Sequence, residues 1–249
     1  MMPAFAVLVL AAFAAGAQNA LAGGGTFLTF PALLYAGLDP RAANITSAVA
    51  LFPGQVTTGI SGLNLVTGVA GLSVRLLVVL SLIGGALGAF LLMATPVSVF
   101  TRLVPFLVLF ATAVFAWGSF FRKPSATSGH ANLSPRTAAS LQLLIGIYGG
   151  YFGGGIGILM LAALTAVGMA VRNAGATKNM LASMMGGSSV LVFLFQMKFD
   201  WPVVVAVAVA AILGGQLGVY LLRRINETAL RVGITLIGLI LTAALFVRS

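Results

Sequence analysis

The segment Gly149-Gly150-Tyr151-Phe152-Gly153-Gly154-Gly155-Ile156-Gly157 lies inside an otherwise continuous apolar run. Each glycine inside a helix costs up to about 1 kcal/mol relative to alanine, so this cluster is expected to interrupt a helix. A similar segment, Ala22-Gly23-Gly24-Gly25-Thr26-Phe27, occurs near the start of the sequence, again with apolar segments on both sides. The repetition indicates two copies of one unit, each broken at the same point.

The composition identifies the class of protein. Of the 249 residues, 60% are hydrophobic and 6% are charged. A water-soluble fold cannot cover its surface with so few charges, and several apolar runs approach the roughly 20 residues that span a bilayer. The sequence therefore predicts an all-α polytopic membrane protein in contact with the lipid bilayer.

The net charge of +10 comes from 13 Lys and Arg against three acids. The basic residues stand at the ends of apolar segments, as the positive-inside rule and anionic headgroups would produce. This distribution explains most of the charge without nucleic acid as a partner, and an anionic substrate could explain the remainder. The sequence has no cysteine, and its one histidine, His130, lies in a polar stretch, so we expect neither a metal site nor a cofactor.

Two halves of the sequence match in order and spacing. Gly84-Gly85-Ala-Leu-Gly88 and Gly214-Gly215-Gln-Leu-Gly218 are separated by the same 130 residues as the two triple-glycine clusters. We therefore expect a first membrane repeat over residues 1–121, a cytoplasmic linker over 122–137 and a second membrane repeat over 138–249. Each half holds about five transmembrane or half-membrane helices, and five crossings would place the halves in opposite orientations as inverted repeats.

The basic residues favour ten crossings with both termini outside. With the linker in the cytoplasm, nine basic residues fall inside and four outside, the asymmetry that the positive-inside rule predicts. The short segments 26–37 and 156–169 leave an alternative open. Twelve helical residues rise only about 18 Å, so these segments could also be half-helices or re-entrant segments.

Each glycine break is a candidate anion site. A helix that begins at such a break has unpaired N–H groups and a partial positive charge at its first turn. Both features suit an anion, and unpaired backbone at membrane depth is tolerated only against protein or a wet cavity. If the halves are related by a pseudo-twofold axis, the two breaks form one central site near mid-membrane.

The candidate substrate-binding residues surround the two breaks and the polar turns that follow them. Lys178 is distinctive, because a cation a few residues inside an apolar segment needs an anion or carbonyl partner, unless it extends to the interface. Arg41 and Arg172 occupy matching positions and are interpreted as interfacial anchors that could also gate or attract an anion. The other candidates are Asn19, Gly23, Gly24, Gly25, Thr46, Ser47, Tyr148, Tyr151, Gly153, Gly154, Gly155, Thr177 and Asn179.

The three acids, Asp39, Asp200 and Glu227, all fall in turns. The sequence therefore supports neither a carboxylate proton relay nor a carboxylate-bound sodium site. It also contains no Ser-His pair, paired acids or metal-spaced set, so an enzyme is not expected.

Residues 22–34, together with Thr46-Ser47, resemble the first signature of the sulfite exporter TauE/SafE family, also called toluene sulfonate uptake permeases. The second half is similar at residues 148–155, at 176–179, at Asp200-Trp201 and at 214–218. The resemblance implies a permease of the bacterial inner membrane for sulfite, sulfonates or related organic anions. The second copy departs from the first, because Thr-Lys-Asn stands where the first copy has Thr-Ser.

The leading functional hypothesis is a secondary transporter that exports small sulfur-containing anions. An anion-selective channel could use the same glycine-lined site, and an uptake permease for sulfonates or carboxylates also remains open. A scaffold without transport is disfavoured, because a scaffold needs no internal helix breaks. The Gly84/Gly88 and Gly214/Gly218 faces could pack within one protomer or between the two protomers of a homodimer.

Overall fold

The computed structural model describes residues 2–21, 24–69, 71–117, 120, 134–196, 199–222 and 227–248. This part of the chain is helical and contains no β-strand. Its α-helices are α1 (Met2–Leu21), α2 (Thr26–Tyr35), α3 (Pro40–Ser61), α4 (Val74–Ala94), α5 (Val97–Ala116), α6 (Pro135–Tyr151), α7 (Ile156–Ala166), α8 (Val171–Gln196), α9 (Trp201–Leu222) and α10 (Glu227–Arg248).

Side-chain caps fix where several helices begin. Asp39 accepts hydrogen bonds from the N–H groups of Arg41 and Ala42, both at 3.0 Å, at the start of α3. Ser134 accepts from the Thr137 N–H at 3.2 Å, so the last residues of the predicted linker form the first turn of α6. Such caps satisfy N–H groups that have no acceptor within the helix. Most of the linker, including His130, lies outside the described residues.

The outer surface is apolar, as expected of a membrane protein. Within the described residues, three helices have the length and composition to cross a membrane: Val74–Ala94, Val97–Ala116 and Arg172–Phe195. Large apolar side chains on the outer faces are exposed, including Phe106 and Ile240. A water-soluble protein rarely exposes such continuous apolar surface. The ten residues of α2 and the eleven of α7 rise only about 15 and 17 Å, roughly half a hydrocarbon core.

Glycines bring two pairs of helices into close contact. A Cβ atom on Gly84 of α4 would lie 2.9 Å from the Leu143 carbonyl oxygen of α6. A Cβ atom on Gly214 of α9 would meet the Phe13 carbonyl oxygen of α1 in the same way. Backbones approach this closely only where a residue has no side chain. These glycine faces therefore pack within the protomer.

Helices α3 and α8 cross at the centre of the molecule and run antiparallel. Gly62 near the end of α3 faces Ala176 near the start of α8, whereas Phe52 faces Gly187 further along α8. The peripheral helices α5 and α10 are also antiparallel, because Phe106 packs on Phe246 and Thr112 contacts Gly238. The first turns of α2 and α7 point towards the α3–α8 crossing, where the candidate site lies.

Candidate functional site

A cavity of about 70 Å³ lies between α3 and α8, beside the first turns of α2 and α7. A single water occupies roughly 10–15 Å³ by this measure, so the cavity has room for several waters or one small polyatomic anion. Its described lining residues are Asn19, Gly24, Thr26, Asn44, Ala48, Gln55, Thr58, Gly149, Gly150, Phe152, Gly153, Ile156, Gly157, Lys178, Asn179, Ala182, Met185, Gly186, Ser189 and Phe193.

Lys178 gives the cavity its charge. The side chain is 3% exposed and lines the cavity from the second turn of α8. No hydrogen bond or ion pair joins it to another described residue, and no acid belongs to the described lining. Asp39 and Asp200 are exposed in turns. Because a buried cation is costly without a partner, this arrangement favours a negatively charged occupant.

Two helix N-termini border the same cavity. Thr26 opens α2, and Ile156 opens α7 directly after Gly155 in a left-handed conformation with φ 72°. Only glycine adopts that conformation without strain, so the sequence at this position permits the abrupt start of α7. The first N–H groups of a helix have no acceptor in the helix and carry a partial positive charge. They therefore add to the positive potential that Lys178 creates.

Asn19 stabilises the first of these helix starts. Its side-chain oxygen accepts a hydrogen bond from the Gly25 N–H at 2.7 Å, and its amide nitrogen has no hydrogen-bond partner among the described residues. Asn19, Gly24, Gly153, Lys178 and Asn179 are the sequence-predicted residues that line the cavity. The structure thus brings together candidates from both halves of the sequence.

Several other candidates are buried or partly buried nearby, with their polar groups bound elsewhere. The Thr177 hydroxyl accepts from the Thr67 N–H at 3.2 Å, and Ser47 bonds Thr29 at 2.6 Å. The Tyr148 hydroxyl donates to the Gly154 carbonyl at 2.8 Å. These groups support the backbone around the cavity and do not belong to its described lining.

The remaining candidates also lie beyond the lining. Tyr151 packs edge-on against Phe100, and its hydroxyl faces Thr95 at 3.4 Å. Gly25, Gly155 and Thr46 are buried close to the helix starts. Gly23 lies outside the described residues.

The two arginines stand apart from the cavity. Arg41 donates to the Thr95 carbonyl at the end of α4, where a cation is favourable to the helix dipole. Arg172 is exposed at the start of α8. Both positions fit anchoring residues, and neither arginine belongs to the described lining.

The candidate residues from the sequence omit five polar lining residues, Thr26, Asn44, Gln55, Thr58 and Ser189. The hydroxyls of Thr58 and Ser189 donate to carbonyls of their own helices at 2.9 and 3.0 Å. Such back-bonding is the ordinary use of a hydroxyl in a helix, so no local signal marked these two positions. Asn44 and Gln55 also lack a sequence signal, because only the packing of α3 turns them towards the cavity.

Comparisons with known proteins identify a family and several related membrane transporters. The sulfite exporter TauE/SafE family model matches residues 8–245. A probable membrane transporter protein of Haemophilus influenzae is 28% identical over 240 residues, which cover 96% of this chain and 92% of that protein. One from Sinorhizobium sp. is 33% identical over 218 residues, covering 86% and 81%. One from Escherichia coli K12 is 25% identical over 249 residues, covering 98% and 90%.

Proposed function

The chain belongs to the sulfite exporter TauE/SafE family, and we propose that it is a secondary transporter. Its proposed substrates are small sulfur-containing anions, such as sulfite or organosulfonates. The substrate binds in the cavity between α3 and α8. The observation that carries the proposal is the buried Lys178 side chain, which lines the cavity without a carboxylate among the described lining residues. An anion in the cavity would stabilise this cation.

The helix starts supply the rest of the anion site. The first turns of α2 and α7 border the same space as Lys178, so their helix dipoles add partial positive charge there. The free amide nitrogen of Asn19 adds a neutral donor. A tetrahedral or pyramidal oxyanion has several acceptor oxygens, so different oxygens can accept from different donors. A halide ion has no separate acceptor atoms to place against each donor.

We further propose that the two halves are inverted repeats with the cavity on their pseudo-twofold axis. The antiparallel packing of α3 against α8, and of α5 against α10, supports this arrangement, because the members of each pair occupy equivalent places in the two halves. The cavity lining supports it as well. Several lining residues form pairs separated by 130 or 131 positions: Asn19 and Gly149, Thr26 and Ile156, Ala48 and Asn179, Gln55 and Gly186, Thr58 and Ser189.

The proposed direction is export across the bacterial inner membrane. A membrane potential of 100 mV, negative inside, is worth about 2.3 kcal/mol for one charge and drives anions outwards without a coupled ion. Uptake would require a coupling ion, and the described cavity contains no carboxylate to bind one. This reasoning favours electrogenic efflux.

Replacement of Lys178 tests the binding site directly. We expect purified Lys178→Met to bind sulfite or sulfoacetate roughly 10- to 150-fold more weakly than the wild type, the usual loss for a hydrogen bond to a charged group. Arg75→Met is the matched control, since Arg75 is exposed at the start of α4 and its loss changes the net charge equally. Calorimetric titration measures both affinities. Unchanged affinity in Lys178→Met would remove this residue from the site.

Transport in proteoliposomes separates the proposal from its alternatives. Efflux of sulfite, thiosulfate, sulfoacetate, taurine or simple carboxylates is followed under an imposed potassium diffusion potential. Saturable efflux that accelerates with a negative interior supports the exporter. Single-channel currents would instead indicate an anion channel, and inward transport coupled to another ion would indicate an uptake permease.

A further inference from the structure

Asn44 holds a hydrogen-bond acceptor of fixed orientation in the wall of the cavity. Its side chain lies in the second turn of α3, is 3% exposed and belongs to the cavity lining. The amide nitrogen donates to the Tyr151 carbonyl at 3.0 Å. A carbonyl oxygen can only accept, so this bond determines which end of the amide is nitrogen and which is oxygen.

The other end of the Asn44 amide is unpaired. Its Oδ1 atom is buried and has no hydrogen-bond partner within the described residues. A buried acceptor without a partner costs free energy, so the site is best satisfied when a donor enters the cavity. Neither Lys178 nor Asn19 forms a hydrogen bond to this oxygen, although both line the same cavity.

The cavity therefore combines two unlike requirements. Lys178, the Asn19 amide nitrogen and the helix starts offer positive charge and donors, which suit the oxygens of an anion. Asn44 offers an acceptor, which suits an O–H or N–H group. An anion whose atoms are all acceptors satisfies the first requirement and leaves the Asn44 oxygen unpaired.

We infer that the cavity selects monoanions that also carry a hydrogen-bond donor, and that Asn44 is the residue that determines this selectivity. Ligands of this class include hydrogensulfite and short hydroxy- or aminosulfonates. The inference rests on the proposed anion site and specifies which anions it prefers. Discrimination of this kind is efficient because the ligand without the donor leaves a buried polar atom unpaired.

A pair of ligands with the same charge tests the inference in the wild-type protein. Isethionate and ethanesulfonate differ by one hydroxyl group, and apolar burial alone would favour ethanesulfonate. We expect isethionate to bind on the order of tenfold more tightly, as one buried hydrogen bond allows. Calorimetric titration of the full chain in detergent gives the ratio of the two dissociation constants.

Two variants test whether Asn44 causes the difference between the two dissociation constants. Asn44→Leu keeps the approximate side-chain shape without the acceptor, and we expect its ratio to fall to about one while ethanesulfonate still binds. Gln18→Met is the matched control. Gln18 is also a buried amide without partners among the described residues, but it does not belong to the described lining. Its ratio should remain that of the wild type.

Equal binding of the two sulfonates by the wild type would overturn the inference and leave the anion site intact. A preference that survives in Asn44→Leu would also overturn it. If the wild type binds neither sulfonate nor sulfite, both the inference and the proposed function fail. The wild-type ratio requires no variant, so equal binding would overturn the inference even if Asn44→Leu does not fold.

Discussion

Two kinds of residue matter most in this protein: glycines at helix contacts, and buried polar side chains without a hydrogen-bond or ion-pair partner among the described residues. Gly88 of α4 illustrates the first case, because a Cβ atom there would meet the Ile147 carbonyl oxygen of α6. Lys178 illustrates the second, since its charge is buried beside a cavity. The first kind of residue determines how closely helices approach, and the second determines what can enter between them.

The glycine contact can be tested by adding one methyl group. Gly88→Ala should destabilise the protein by about 1–3 kcal/mol, because the α4 and α6 backbones must separate to accommodate the side chain. Gly175→Ala is the control: a Cβ atom there meets nothing within 4 Å, and alanine favours the α8 helix. Thermal unfolding in detergent measures both. Equal stability of Gly88→Ala and the wild type would contradict the close contact.

The sequence predicted the charged and glycine-rich residues of the cavity lining better than the neutral polar ones. A lysine inside an apolar segment is energetically unusual, so Lys178 was identifiable without a structure. Thr177 seemed equivalent, yet its hydroxyl is bound to the Thr67 N–H. Asn44 had no distinguishing neighbours in the sequence. Whether a neutral polar side chain faces a cavity depends on helix rotation and packing, which local sequence does not determine.

At the scale of helices, the crossing of α3 and α8 organises the molecule. Both helices are long, and both contribute polar residues to the cavity where they cross. Hydrophobic segmentation predicted these helices and the short α2 and α7. It did not predict which helices pack together, because helix pairing depends on complementary small residues distant in the sequence.

A cross-link between α3 and α8 tests the crossing and its motion. A Cβ atom on Gly62 would lie 3.1 Å from the Ala176 Cβ, close enough for a disulfide between cysteines at both positions. The protein contains no cysteine, so no native thiol can form a competing disulfide. We expect the oxidised double variant to lose transport and to regain it on reduction, because inverted-repeat transporters move one half against the other.

Single-cysteine variants at Gly62 and at Ala176 provide the controls for that cross-link. Both should transport equally before and after oxidation. Failure of the double variant to cross-link would contradict the packing of α3 on α8. Full transport in the cross-linked protein would show that this contact stays fixed during the cycle.

At the scale of the whole molecule, the opposite directions of two helix pairs are the main feature. α3 runs antiparallel to α8, and α5 runs antiparallel to α10. The spacing of sequence motifs predicted two matching halves, and basic residues predicted their orientation. The predicted ten crossings and the possible homodimer remain predictions.

Side-specific labelling tests the inverted arrangement. Arg75 and Pro202 lie at the starts of α4 and α9, the fourth helix of each proposed half, and both residues are exposed. Cysteines at these two positions should react with a membrane-impermeant maleimide from opposite sides of oriented vesicles. Arg136→Cys, at the start of α6 beside α4, should react from the same side as Arg75→Cys. Labelling of all three from one side would exclude inverted halves.

One matched position holds a neutral residue in the first half and a charged residue in the second, and this difference has an electrical consequence. In the alignment of the two halves, Ser47 stands where the second half has Lys178, so the proposed site holds one positive charge when empty and none when a monoanion is bound. Voltage then acts chiefly on the empty carrier as it reorients, with about 2.3 kcal/mol per 100 mV for a full traverse of the field. An interior-negative potential pulls the empty site back to the cytoplasmic side, ready for the next anion. Transient charge displacement in the absence of substrate would be the electrical signature of that return step.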